Sequence, residues 1–528
     1  MTTSTHGDVF LGIDLGTSSC KVVIAERAGK ILARATRTYP LTLKNAGGVE
    51  QDPQKWWTAI CEATRETLQT GDIDPRRITA IGATGQWSGT VAVGSNGKPL
   101  RPAIIWMDTR GAPYIHRLTS GFPGIAGYRF DKLIQWLRKT GGAPAHAGKD
   151  SLAHVLYLKH EEPEVYRSTR CFLEPKDYVN LQLTGVFAAS WDNVVVTWIT
   201  DNRDAANIRY DEGLIRMAGL DREKFPHLKA SSDIVGKVTA EAAGDLGIPV
   251  GVPVVAGAGD MQASLLGSGC VRPNQFHLYV GTSSWLTAHV PYKRTDLSHN
   301  IASLPSAIRG LYVIASTQES AGSSLTYVRD LLFGPGDAAP SYEALSALAG
   351  QATPAEGRIL FAPWPYGERA PVEDRDLRAA FFNLSLSAGR PQLVRTVLEG
   401  IAYNTRWMLS PVEKLAGHRA EPIRIGGGGA GSPLWCQIFS DVLDRRIETV
   451  AEPAYATARG AAALAALGTM KVTLSDIEAA IPTDRTYTPQ PTNVLLYERM
   501  YQAFLRYHAR TSELYRELNA SERSRAHV

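Results

Sequence analysis

Short apolar runs that break at glycine set the pattern of this chain. Residues 10–19, FLGIDLGTSS, end an apolar run at Gly-Thr-Ser-Ser, and residues 276–285, FHLYVGTSSW, repeat the arrangement. A run of this length closed by a turn signal predicts a buried strand. The first run continues into CKVVIAE, a turn at Gly29-Lys30, and ILARATRTYP, which predicts a β-meander over 10–40. Residues 52–69 predict a helix. Asp52 is its N-cap, Pro53 lies in its first turn, and Trp56, Trp57, Ile60, Ala63, Thr64 and Leu68 recur at helical spacing. ITAIGA (78–83) and TVAV (90–93) read as further strands, and 113–170 as mainly helical with Gly/Pro breaks.

A second α/β unit opens near Pro249, Gly251 and Pro253. VPVVAGAGD reads as a strand, MQASLLGSG as a short helix and QFHLYVGTSS as the next strand. Residues 391–413 and 456–468 are strong helix patterns. A terminal helix is expected over 496–518 from Leu496, Met500, Phe504, Tyr507 and Leu514, followed by a loose SERSRAHV. The expected organisation is a first lobe over 1–252, a second over 253–480, and a C-terminal helix and tail over 481–528.

At 528 residues the chain exceeds one core and predicts two to four domains. Net charge is +4 with scattered basic residues, so no nucleic-acid surface is expected. The opening MTTSTHGD lacks the basic and apolar parts of a signal peptide, and no apolar run is long enough for a bilayer. A cytoplasmic protein without a membrane partner is expected. Five widely spaced cysteines argue against a disulfide framework. With no HExxH and no Cys/His cluster, the expected metal is Mg²⁺ held by a carboxylate and phosphate oxygens.

The candidate chemistry lies at the turns. Gly16 and Gly281 permit tight turns. Thr17, Ser18, Thr282 and Ser283 then offer amide and hydroxyl donors, an anion-binding concavity. Two copies suggest two similar half-structures gripping the phosphates of one ligand, although each alone also reads as a ligand-free hairpin. A third turn, IRIGGGGAGS (423–432), follows an apolar run. Ser432 caps the next helix, PLWCQIFSDVL, and Pro433 fits its first turn. Its glycines let backbone approach a nucleotide. Asp14 beside the first turn reads as a Mg²⁺-associated group or as a turn-closing Asp. Lys21 reads as a phosphate contact or a surface lysine. Asp260, after AGAG, reads as the base that accepts a proton from an attacking hydroxyl, or as a helix cap, and the two are compatible. Trp87 and Ser88 in GQWSG, and Trp106 and Asp108 in IIWMDTR, suit a sugar, against the alternatives of core tryptophans and an Asp108–Arg110 ion pair. Glu368 and Arg369 in FAPWPYGERAP read as a structural pair if buried and an interface contact if exposed.

With these motifs in order, the chain resembles the FGGY family of carbohydrate kinases along nearly its whole length. GIDLGTSSCK looks like the first phosphate motif, EQDPQKWW the segment before the first long helix, and GQWSG and PAIIWMDTR the sugar loops. GAGD resembles the catalytic-base segment, GTSS at 281–284 the second phosphate motif, GERAP the Gly-Glu-Arg loop, and VLEGIAYNTR to IRIGGGGAGSPLWCQIFSDVL the signature and adenosine region. The resemblance implies an α/β fold of the actin/sugar-kinase/Hsp70-like, ribonuclease H-like kind, duplicated into two lobes around a cleft. It implies ATP-dependent phosphorylation of a sugar hydroxyl, with Asp260 as general base. Asp14, Gly16, Thr17, Ser18, Lys21, Gly281, Thr282 and Ser283 would form the phosphate and Mg²⁺ region. Gly427, Gly428, Ala430 and Ser432 would form the adenosine side, and Gln86, Trp87, Ser88, Trp106 and Asp108 would line the sugar. IIWMDTR and GAGDMQ look most like the xylulokinase branch, which implies a pentulose. That branch usually has Met-His where this chain has Trp87-Ser88, and the Arg-Glu of glycerol kinases is also absent. Another ketose, a polyol or a sugar acid are the alternatives within the class. A non-sugar acceptor and a catalytically silent nucleotide-binding regulator are alternatives outside it. Dimers are frequent in the family, so a homodimer is compatible with the resemblance.

Overall fold

The computed structural model describes residues 8–525 apart from 28, 126, 337, 338 and 471, with side chains described to residue 519. Residues 1–7, most of the polar opening, and 526–528, the end of the tail, lie outside it.

The first sheet begins with the expected meander. Strand β1 (Val9–Leu15) is buried at every position, as a strand covered on both faces must be. It pairs antiparallel with β2 (Ser19–Glu26), which pairs antiparallel with β3 (Ile31–Thr38). Helix α1 (Pro53–Thr70) follows, with the Asp52 carboxylate accepting from the Gln54 amide at 2.9 Å. It leads to β4 (Ile78–Gly85), parallel to β1. Beyond β4 come β5 (Ile234–Lys237), β6 (Pro253–Val255) and β7 (Ala258–Gly259), giving the order β5-β6-β4-β1-β2-β3 with β7 also on β4. Helix α2 (Asp260–Gly267) follows at once.

The second sheet repeats this plan. Strands β8 (Phe276–Val280) and β9 (Ser284–Val290) form a hairpin across the second Gly-Thr-Ser turn. Strand β9 pairs antiparallel with β10 (Tyr312–Ala315). The other edge of β8 is parallel to β11 (Ile423–Gly426), and β11 to β12 (Ile447–Val450). Thus β10-β9-β8-β11-β12 restates β3-β2-β1-β4-β6, and the sequence near-repeat marks a duplicated half. Helices α3 (Arg390–Ala416) and α4 (Pro433–Leu443) pack on this sheet. Ser432 caps α4, its hydroxyl accepting from the Trp435 amide at 3.2 Å.

Helix α5 (Ala456–Gly468) joins the halves. It is rich in alanine, the best helix former, and its small side chains permit backbone-to-backbone packing. A Cβ at Gly12 would stand 2.1 Å from the Ala458 carbonyl oxygen, and one at Gly82 2.0 Å from that of Ala461. Against α2, a Cβ at Gly267 would lie 1.7 Å from the Ala456 oxygen and one at Gly460 1.8 Å from the Ala263 oxygen. Only glycine fits these contacts.

Two boundaries differ from expectation. The apolar Pro253–Val255, read as the start of the second lobe, extends the first sheet, with Val254 opposite Ile81, because a fully buried parallel edge accepts it. Residues 481–528 are more than helix and tail. Strand β13 (Thr483–Tyr487) pairs with β12 at the sheet edge, and its exposed TDRTY gave no apolar alternation to reveal it. The last helix, α6 (Pro491–Arg525), runs further than expected at both ends and seats Tyr497, Met500 and Phe504 in the second core.

Candidate active site

Three parallel strands end side by side. Asp14 on β1 lies opposite Thr84 on β4, and Ala258 on β7 lies opposite the same Thr84 from the other side. Two strand spacings, about 10 Å, therefore separate the end of β1 from the end of β7, where Asp260 opens α2. Ligands of α/β sheets bind at such carboxyl ends. Burial pushes the Asp14 carboxyl up to about 6, against the pull of Lys21. Burial pushes Asp260 up to about 7, and the charge on Asp14 adds to the effect. The Asp260 Oδ1 accepts the Met261 amide at 2.8 Å.

A buried polar cluster stands behind Asp260. The Asp192 carboxylate accepts the Gly259 amide at 2.9 Å and the Ser231 hydroxyl at 2.7 Å. Asn193 donates to Asp177 at 3.0 Å, and its carbonyl accepts the Trp87 indole N–H at 2.8 Å. The fully buried Lys176 ammonium pairs with Asp177 and donates to the Ala256 carbonyl at 2.8 Å. A Cβ at Gly259 would lie 3.7 Å from the Trp87 ring, so this indole flanks the strand end that carries Asp260.

The two Gly-Thr-Ser turns are built alike. The Gly16 amide donates to the Ser19 carbonyl at 3.0 Å, and the Gly281 amide to the Ser283 carbonyl at 2.9 Å. In the first turn, the Tyr39 hydroxyl donates to the Gly16 carbonyl, Gln51 to the Thr17 carbonyl at 2.7 Å, and the Trp106 indole to the Thr17 hydroxyl at 2.9 Å. In the second, the Gly322 amide donates to the Gly281 carbonyl at 2.8 Å and the Ala321 amide to the Thr282 carbonyl at 3.0 Å. These carbonyls are thus occupied. The amides of Thr17, Ser18, Thr282 and Ser283 donate to no acceptor among the described residues. That leaves N–H groups for an anion in each half.

The glycine run lies beside the second turn. Gly427 has φ 86°, and a Cβ there would stand 2.5 Å from the Val280 carbonyl oxygen. Gly428 has open space on its side-chain face. A cavity of about 170 Å³ adjoins the run, lined by Ala430, Gly431, Val450, Pro453, Arg485 and Tyr487 among others.

Family models of the FGGY carbohydrate kinases match residues 9–267 as the N-terminal domain and 277–469 as the C-terminal domain. The chain belongs to the FGGY family of carbohydrate kinases. It is 29% identical over 525 residues to a xylulose kinase of Staphylococcus epidermidis, across 97% of this chain and 98% of that protein. It is 25% identical over 504 residues to a gluconokinase of Bacillus subtilis, across 94% of each. In fold it is similar to the ligand-bound xylulose kinase of Lactobacillus acidophilus, with TM-score 0.83 at 23% identity over 97% of this chain and 100% of that one. This FGGY protein is a sugar phosphotransferase with the actin/Hsp70-like fold, in a family whose phosphate donor is ATP. No helix among the described residues is long and apolar enough to cross a membrane.

Two expected site residues have protein partners. Asp108 is buried, with its carboxylate gripped by Arg110 at 2.7 Å and by the Val49 amide at 2.8 Å. Arg110 also pairs with Glu50, so both Asp108 oxygens already accept from protein donors, as the ion-pair alternative expects. Lys21 donates to the Ala454 carbonyl at 2.9 Å and lies 5.9 Å from the Tyr455 ring, a contact between the halves. Gln86 is buried, donates to Gln51 at 2.8 Å, and so ties the first sugar loop to the Gly16 turn. Ser88 holds a left-handed φ of 63°.

In the Gly-Glu-Arg loop the Glu368 and Arg369 side chains take different partners. Glu368 is buried, accepts the Glu319 and Arg369 amides, and is pushed up to about 8 by desolvation. Arg369 donates to the Glu319 carboxylate at 2.8 Å, and Lys149 reaches the same carboxylate from the first lobe at 3.1 Å. Lys149 lies 6.0 Å from the Trp106 ring. Sequence reasoning missed Lys149, Glu319, Asp192 and Lys176, because their partners come from distant segments and form no local motif.

Proposed function

We propose that this FGGY kinase transfers the terminal phosphoryl group of ATP to a hydroxyl of a pentulose, with Asp260 as general base. The observation that carries the reading is the position of Asp260 at the carboxyl edge of the first sheet, beside Asp14, with its carboxyl raised to about 7. A base works best when its pKa lies near the working pH. The relatives named as xylulose kinases favour a pentulose. The Trp87 and Trp106 indoles, reached through the Asn193 carbonyl and the Thr17 hydroxyl, supply apolar faces for sugar C–H surfaces on either side of that edge.

ATP and Mg²⁺ fit the residues present. The unpaired turn amides and the open face at Gly428 suit phosphates, and the 170 Å³ cavity adjoins the turn where adenosine would lie. Burial raises both carboxyls, and the charge on Asp14 raises Asp260 further, so a positive charge between them would favour their ionised forms. Asp14 would hold Mg²⁺ through phosphate or water, and the ion would neutralise charge developing on the phosphate oxygens. The protein itself mainly positions. The Thr17, Ser18, Thr282 and Ser283 amides hold the phosphate chain from two lobes, and Gly427 lets backbone approach it. Asp260 takes the proton as the sugar oxygen bonds to phosphorus and the bond to ADP breaks.

The test is Mg·ATP turnover, read as ADP release, across ketopentoses, ketohexoses, polyols and sugar acids, with Asp260→Asn alongside. Turnover with one pentulose, lost in the variant, is expected. Turnover restricted to a sugar acid or polyol overturns the pentulose assignment, and a fully active Asp260→Asn overturns the base.

A further inference from the structure

We propose that Tyr279 is a further ligand-contacting residue of this site, its phenolic O–H donating a hydrogen bond to an oxygen of the terminal phosphate of ATP. The inference rests on the kinase reading above. Tyr279 is the penultimate residue of β8, on the lobe opposite Asp14, and it lies between the two glycine turns of that lobe. A Cβ on Gly281 would stand 2.5 Å from its Cε1 and 2.8 Å from its hydroxyl oxygen, and a Cβ on Gly427 3.1 Å from its Cε2. Both edges of the ring tip are therefore bounded by backbone proposed to carry phosphates, and the hydroxyl lies where the turns meet.

The ring is fixed. It stacks on Trp285 at 4.0 Å between centroids and 5° between planes, and the two residues face each other across the hairpin. The Trp285 indole N–H in turn donates to the Ser264 hydroxyl at 3.3 Å, on the helix that Asp260 opens. Cross-strand aromatic stacking of this kind rigidifies its members. The hydroxyl at the end of this fixed ring has no hydrogen-bond partner among the described residues, and Tyr279 is only partly buried, unlike its strand neighbours. A polar group held rigidly at a cleft without a protein partner is suited to a ligand acceptor.

The charges nearby decide what that acceptor is. Burial raises the phenol pKa, and the negative charges of Asp14 and Asp260, across the cleft, raise it further. Tyr279 thus remains a neutral donor throughout the working pH range. The same two carboxylates mark the end of the nucleotide where the phosphoryl group leaves, which assigns the terminal phosphate rather than the inner ones.

Tyr279→Phe keeps the stack and removes only the hydroxyl. Titration calorimetry with Mg·AMP-PNP and with Mg·ADP, together with turnover, tests the assignment. The variant should bind AMP-PNP about tenfold more weakly, the weight of one charge-assisted hydrogen bond. ADP affinity, sugar KM and Tm should stay unchanged, while kcat falls by a similar factor. Equal binding of both nucleotides by variant and wild type overturns the proposal and leaves the kinase reading intact. A parallel weakening of ADP and AMP-PNP also overturns it, since that assigns Tyr279 to packing. Wild-type protein that binds neither nucleotide overturns both.

Discussion

The Gly259 amide donates to the Asp192 carboxylate at 2.9 Å, so the residue that introduces Asp260 is held from behind by a buried acid. The Asp192 carboxylate also takes the Ser231 hydroxyl, and an amide has only one oxygen to serve both donors. Asp192→Ala leaves the Gly259 N–H unsatisfied, at about 1–3 kcal/mol. We expect kcat to fall roughly tenfold to a hundredfold with nucleotide affinity retained, and Asp192→Asn to lie between. Steady-state kinetics beside nucleotide calorimetry check this, and a variant with wild-type kcat would detach Asp192 from the positioning of Asp260.

As the proposed base, Asp260 must be ionised to accept a proton. With its carboxyl raised to about 7, kcat/KM should climb with pH and level off above that value. Part of the rise comes from the charge on Asp14. Raising free Mg²⁺ should offset that charge and move the acid limb to lower pH. A limb that stays fixed across Mg²⁺ concentrations would exclude this coupling.

The same shift affects stability. The folded carboxyl titrates near 7 against an ordinary 3.8, so the fold favours the protonated form. Its contribution is complete below about pH 4 and is lost as pH rises through 7. Asp260→Asn carries no such loss. Its Tm should exceed that of wild type at pH 8 by about 2 °C or more and converge with it near pH 4, by calorimetry in the absence of ligands.

Gly460→Ala places a Cβ 1.8 Å from the Ala263 carbonyl oxygen and 3.0 Å from the Gly267 amide, both backbone atoms of α2. Helix α2 must shift, and Asp260 with it. We expect a Tm lower by several degrees and a fall in kcat, although Gly460 touches no ligand. Gly244→Ala, in the helix Ala240–Leu246 with open space around it, is the control and should be neutral or stabilising by up to about 1 kcal/mol. Equal stability of the two variants would contradict the close helix packing.

The legible parts of this protein were those encoded locally. A strand that stops at Gly-Thr-Ser-Ser announces its own turn, and its repetition at 281–284 announced the duplicated half. The Asp52 and Ser432 caps were readable for the same reason. The Asp108–Arg110 pair is legible because its members stand two residues apart, whereas the Val49 and Ala454 partners of Asp108 and Lys21 arrive from distant segments. Asp192 and Glu319 carried no local signal, since a single acid in an unremarkable segment gains meaning only from what folds against it. Tyr279 read as one more member of an apolar run. The strand alternation hid that its ring closes over the turn its own strand leads into.

Lys149 and Glu319 come from different lobes and meet beside the Trp106 ring. One wall of the proposed sugar pocket therefore exists only while the halves are together. Separation of the lobes would dissolve that wall, and the proposed nucleotide turns, shared between the same halves, would part with it. Whatever free energy one substrate contributes to holding the halves closed is then available to the other. By thermodynamic reciprocity, sugar must tighten nucleotide by the same factor that nucleotide tightens sugar.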